Sequence, residues 1–212
     1  MKTNKFLLLI LIAVFIFLVA VYLVGKPATL LADTAYLFPV FVSALAGFYA
    51  AGAFGFKSYN GKALLLIAFG LTSWAAGELI WYIFKNFLNI DPFPSIADFF
   101  FLLAYPLLFL GILFGTRLAR ANWSQLNKKT AWADIAAVAV LAAAVSYWGI
   151  YKAYDPQTNI FENLILMSYG IADLILIGAL ILSLGTARAF KGGRFGFLWK
   201  VLTGGFFFIL VA

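Results

Sequence analysis

Carboxylates carry most of the chemistry open to this chain, because histidine and cysteine are absent from its 212 residues. Zinc, haem and iron–sulfur centres lose their usual ligands, and thiolate chemistry is excluded. Four of the eight acids, Glu78, Asp98, Asp134 and Asp173, stand in or beside long apolar runs. An ionisable group at bilayer depth costs about 2.5–3.5 kcal/mol, so each requires a partner, a wet cavity or a purpose. Trp74, Glu78 and Trp81 follow helical i, i+4, i+7 spacing and share one face. Glu162, Leu166, Tyr169 and Asp173 follow i, i+4, i+7, i+11, and Asp173 is the most deeply placed acid. Ser95-Ile96-Ala97-Asp98 fits a capping box, in which the two side chains satisfy the first free amides of a helix. Asp134 follows Thr130 by one turn, which suits a helix-dipole role as well as a functional one. For Glu78 and Asp173 the bland reading is a buried hydrogen bond to a Tyr, Trp or Ser.

The elements that must position these groups are transmembrane helices. Hydrophobic residues make up 65% of the chain and charged residues 11%, against roughly half and a quarter in a soluble domain. Apolar runs of bilayer-crossing length recur along it, and about 30 Å of hydrocarbon needs about 20 helical residues. The pattern predicts an all-α polytopic bundle, one domain over residues 1–212, with about seven spans near 6–24, 35–56, 63–84, 95–115, 130–151, 160–184 and 195–212. The apolar part of the first is too long for a signal peptide and reads as a retained anchor. Pro/Asn/Asp and Gly-rich breakers, such as Asp91-Pro92-Phe93-Pro94 and Asp155-Pro156, mark the loops.

A net charge of +7 would suit nucleic acid, but the Lys and Arg residues sit in short loops beside apolar spans and read as topology signals, so no nucleic-acid partner is expected. Lys2, Lys5, Lys57, Lys62, Arg117, Arg120, Lys128, Lys129, Arg188, Lys191 and Arg194 fall on one side, whereas Lys26, Lys85 and Lys152 fall on the other. Positive loops stay in the cytosol, which predicts a multi-pass plasma-membrane protein with a cytosolic N-terminus. An odd helix count leaves the C-terminus outside, and an eighth helix beyond Ala212 would return the chain to the cytosol. Lys200 is shallow enough to snorkel to the interface, so no Schiff-base chromophore, and no other cofactor, is expected.

Taken in order, Trp74-x-x-Gly77-Glu78-x-x-Trp81, Pro94-Ser95-x-Ala97-Asp98, Tyr105-Pro106, Asp134 with Trp148, and Tyr169-x-x-x-Asp173 resemble a known family. It is the N-terminal multi-helix membrane sensor region of prokaryotic signalling proteins, of the diguanylate cyclase and histidine kinase type. The resemblance covers about residues 60–185; Gly170 departs from it, since that family often has Pro after the Tyr, and the chain carries no cytosolic catalytic domain. It implies a non-enzymatic sensory bundle that reads a ligand, lipid or ion and biases a cytosolic effector. The expected ligand-binding residues are Trp74, Glu78, Trp81, Asp98, Tyr105, Tyr169 and Asp173. The competing expectation is a proton or cation transporter or channel component that uses Glu78 and Asp173 as relay groups. A retinal-type protein or an intramembrane aspartyl protease is further off, because Gly170-Ile171-Ala172-Asp173 misses the second glycine of a Gly-x-Gly-Asp motif.

Overall fold

The fold comes from a computed structural model, which describes residues 29–117 and 128–189. All regular structure among the described residues is helical. Helix α1 spans Thr29–Phe54, α2 Tyr59–Ile83, α3 Ile96–Gly115, α4 Lys128–Val145 and α5 Ile160–Ala189. One π-helical turn, Phe84–Leu88, extends α2, and another, Ser146–Tyr151, extends α4. Among the described residues, four helices contain stretches long and apolar enough to cross a membrane: Leu37–Phe54, Tyr59–Leu88, Ile96–Gly115 and Ile160–Thr186. The apolar part of the fourth helix, Ile135–Tyr151, is shorter.

The expected spans at 6–24 and 195–212 lie outside the described residues. The other five each meet a helix, with two corrections at the ends. Helix α1 starts six residues before the expected residue 35, which brings Asp33 into its first turns. The third expected span stops at residue 84, but the π turn carries the helix through Leu88, so Lys85 and Asn86 belong to the helix and not to a loop. Apolar residues alone set the expected end, whereas a polar side chain that finds a partner across the bundle can stay helical.

Lipid-type packing explains why these sequences associate. Large apolar side chains such as Phe38, Leu45, Phe69, Phe99, Val140 and Ile160 are turned outward. Between helices the contact is made by small residues, as expected where no hydrophobic force distinguishes a neighbour from a lipid tail. Ala63, Ala68, Ala75, Ala97 and Ala104 are buried. A Cβ on Gly70 would come within 2.8 Å of Leu108, and one on Gly111 within 2.6 Å of Ile67. These approaches run antiparallel, α2 rising as α3 falls, and hold the two backbones close.

Helix α1 packs on α2, α2 on α3, α3 on α5 and α5 on α4. The central contact, α3 on α5, is parallel: Asp98 meets Tyr169, Tyr105 meets Asp173, and Phe109 lies beside Gly178. Ile67, Tyr105, Leu108 and Ile112 close the core against Ala172, Leu176, Ala179 and Leu180. This arrangement gathers the helix ends into two sets. Lys57, Lys62, Arg117, Lys128 and Lys129 share one end, the basic end, and Asp33, Asp91, Asp98, Asp155 and Glu162 share the other, the acidic end.

The connection between α4 and α5 at the acidic end is tied to its helix by one side chain. Asn163, 4% exposed, accepts from the Asp155 amide at 3.0 Å and donates to the carbonyls of Asp155 at 2.7 Å and Thr158 at 3.3 Å. The Asp155 carboxylate accepts from the Gln157 amide and the Thr158 hydroxyl, which together hold it below the ordinary aspartate range.

Candidate functional site

Three acids of the apolar region, Glu78, Asp98 and Asp173, are each bound to an aromatic donor. At the start of α3, Ser95 and Asp98 form the capping box: the Ser95 amide donates to Asp98 Oδ2 at 2.7 Å and the Ala97 amide donates to Ser95 Oγ at 3.1 Å. Asp98 is only 2% exposed, and its second oxygen, Oδ1, accepts the Tyr169 hydroxyl at 2.6 Å from α5. One carboxylate therefore caps its own helix and fastens a second. A turn and a half deeper, buried Tyr105 donates to Asp173 Oδ1 at 3.0 Å, again from α3 to α5. The two bonds run in opposite senses, tyrosine on α5 to acid on α3 and then tyrosine on α3 to acid on α5. They lock the register of the parallel pair.

Glu78 takes its donor from its own helix: Trp74 Nε1 donates to Glu78 Oε1 at 3.1 Å, one turn away. The Trp74 ring also lies against Tyr105, centroids 5.8 Å apart, and edge-on to Phe101 at 5.6 Å. Trp81 packs on Phe101 from the other side at 6.3 Å. Trp74, Glu78, Tyr105, Tyr169, Asp98 and Asp173 thus form one aromatic–carboxylate cluster between α2, α3 and α5. Small residues permit it: Gly77, buried on α2, lies under the Phe101 ring, and Ser73 donates to the Phe100 carbonyl at 2.6 Å.

On the far side of α2 the cluster meets a cleft of about 130 Å³ lined by Asp33, Leu37, Glu78, Trp81, Tyr82 and Lys85. Lys85 Nζ lies 2.9 Å from Asp33 Oδ2, and Asn86 donates to the same oxygen at 3.1 Å. Tyr82 and Thr34 share a hydrogen bond at 2.9 Å just above. The π turn is what presents two consecutive residues, Lys85 and Asn86, to one acid on α1. It closes on Asn89 in the left-handed region, φ 51°, whose amide donates back to Phe84.

Of the expected ligand-binding residues, Glu78 and Trp81 line this cleft, and Trp74 stands behind Glu78. Asp98, Tyr105, Tyr169 and Asp173 are not part of its lining; they form the interhelical bonds behind it. Asp33, Leu37, Tyr82, Lys85 and Asn86 were not singled out from sequence. A signal for two of them existed, because Glu78, Trp81, Tyr82 and Lys85 follow i, i+3, i+4, i+7, a stripe hidden by ending the helix at residue 84. No signal pointed to Asp33, which pairs across 52 residues of sequence. Of Asp134 only the helix around it is described, and Lys200 lies outside the described residues. Among the described residues no three metal-ligating side chains gather. Compared with protein-family models, curated proteins and solved structures, the chain has no match.

Proposed function

We propose that this chain is a membrane-embedded sensory or signal-input module: it recognises a ligand at its acidic end and signals to a cytosolic partner. On this reading the bundle has seven helices in the plasma membrane, with the basic end and the N-terminus in the cytosol, as the concentration of Lys and Arg at one end supports. The observation that carries the reading is the position of Glu78. It borders an open cleft with one carboxylate edge, and through Trp74 it touches the cluster that fixes α3 against α5. A ligand that moved Glu78 would disturb Trp74, then Tyr105 and its bond to Asp173. Register between parallel helices is a two-state property that such a shift biases.

The second reading, proton or cation transport, rests on Asp173, a carboxylate in the apolar part of α5. Its hydrogen bond to Tyr105 makes it a structural tie, whereas a relay acid needs to exchange partners. Two measurements separate the readings. In liposomes holding a pH-sensitive or potassium-sensitive dye, the full chain is expected to give no flux above empty vesicles. A diguanylate cyclase reporter domain fused before Met1 is expected to change its output at least severalfold in Glu78→Gln and Tyr105→Phe. Flux that Asp173→Asn abolishes, with unchanged reporter output, overturns the sensory reading in favour of transport.

A further inference from the structure

We propose that the cleft between α1 and α2 is a binding site for a compact organic monocation, an amine whose ammonium group is held by Glu78. The inference rests on the sensory reading and deepens it by naming the class of ligand.

Charge selects the class. Asp33 is already neutralised by Lys85, with Asn86 on the same oxygen, so the ion pair needs nothing from a ligand. Glu78 lines the same cleft as Asp33, and its one hydrogen-bond donor, Trp74, is uncharged. Among the described residues no donor reaches Glu78 Oε2. Formally the lining carries two negative charges and one positive, which leaves one negative charge for a ligand to balance. A carboxylate in a half-buried site without a cation is costly, and an ammonium group supplies both the charge and the missing donors.

Shape and chemistry exclude the alternatives. A hard divalent cation wants six or more oxygens, and here Lys85 would repel it from beside the carboxylates. An anion meets Glu78. A volume of about 130 Å³ is close to the roughly 150 Å³ cavity that accommodates benzene, so the ligand is small. Trp81 and Tyr82 provide aromatic lining suited to an organic cation, and Leu37 provides the apolar wall. The π turn gives the site its fixed edge, since it holds Lys85 and Asn86 on Asp33.

The test is calorimetric titration of the full chain in phosphatidylcholine nanodiscs at pH 7, with empty nanodiscs as the blank. Benzylamine is the probe, benzyl alcohol its neutral isostere and benzoate its anionic counterpart. Benzylamine is expected to bind, and the other two to give only the blank signal. Glu78→Gln is expected to weaken binding about tenfold or more. Leu37→Phe, which keeps the carboxylate and fills the cleft, is expected to weaken it as well, so a loss in both variants does not come from a missing structural charge. Equal binding of benzyl alcohol, binding unchanged in either variant, or displacement of benzylamine by magnesium overturns the proposal. Amine binding that leaves the fused reporter unmoved would sink the sensory reading and keep the site. A reporter that responds to Glu78→Gln in a chain that binds no amine would do the reverse.

Discussion

Asp98 serves two helices with one side chain. It is buried, it caps α3, and it takes the Tyr169 hydroxyl across the helix interface. Interhelical hydrogen bonds in membranes average about 0.6 kcal/mol and reach about 1.7, but a short bond to a buried carboxylate belongs at the upper end. Tyr169→Phe is therefore expected to destabilise the protein by about 1–2 kcal/mol. Asp98→Ala, which also removes the cap, is expected to cost about 1 kcal/mol more. The double variant should fall short of the sum by about the energy of the shared bond. Unfolding in mild detergent with increasing dodecyl sulfate measures all three. Strict additivity would mean that the tyrosine and the acid do not interact.

At the scale of elements, α4 is held mainly through α5, and its π turn is the point of closest approach. Gly149 and Gly170 meet backbone to backbone, and a Cβ on Gly170 would run into the Gly149 carbonyl and the Ile150 side chain. The residue after Tyr169 thus faces a neighbouring backbone, where glycine fits. Gly170→Ala is expected to push α4 off α5 and cost about 1–3 kcal/mol, the usual penalty for overpacking. Gly178→Ala is the control, because the nearest atom to its Cβ is Phe109 at an ordinary 3.8 Å. That substitution is expected to be neutral or to stabilise α5 slightly, by virtue of alanine's better helix propensity. Thermal melts of the two variants check the pair, and equal effects would refute the close contact.

For the whole molecule, the charge separation between ends is the feature with the largest consequence. The parallel α3–α5 contact and the antiparallel pairs on either side put Lys57, Lys62, Arg117, Lys128 and Lys129 at one end of one bundle. The positive-inside rule leads one to expect that end in the cytosol. A reporter active only in the cytosol, fused after Arg120 or Arg194, is expected to give signal. The same reporter after Asp91 or Asp155 is expected to give none. The reverse pattern would invert the bundle and put the cleft on the cytosolic side. Lipid contact is consistent with the same architecture, since many large apolar side chains, such as Phe38, Leu45, Phe69 and Phe99, face outward.

Sequence by itself determined the solvent, the helical class, the sorting of charge between the ends, the capping box at Ser95 and Asp98, and the common face of Tyr169 and Asp173. All of these depend on interactions within about one or two helical turns, or on sums of transfer energies along the chain, so they are written locally. Tertiary structure alone decided the donors that Asp98 and Asp173 receive from across a helix interface. Helical periodicity fixes the face a residue occupies but not the neighbour across from it, and that neighbour is set by how closely Gly70, Gly77 and Gly111 let the backbones approach. The ion pair of Asp33 with Lys85 and the cleft beside it are the clearest case. They required α1 to begin early, α2 to run on through a π turn, and the two helices to lie antiparallel, and only packing brings those three conditions together.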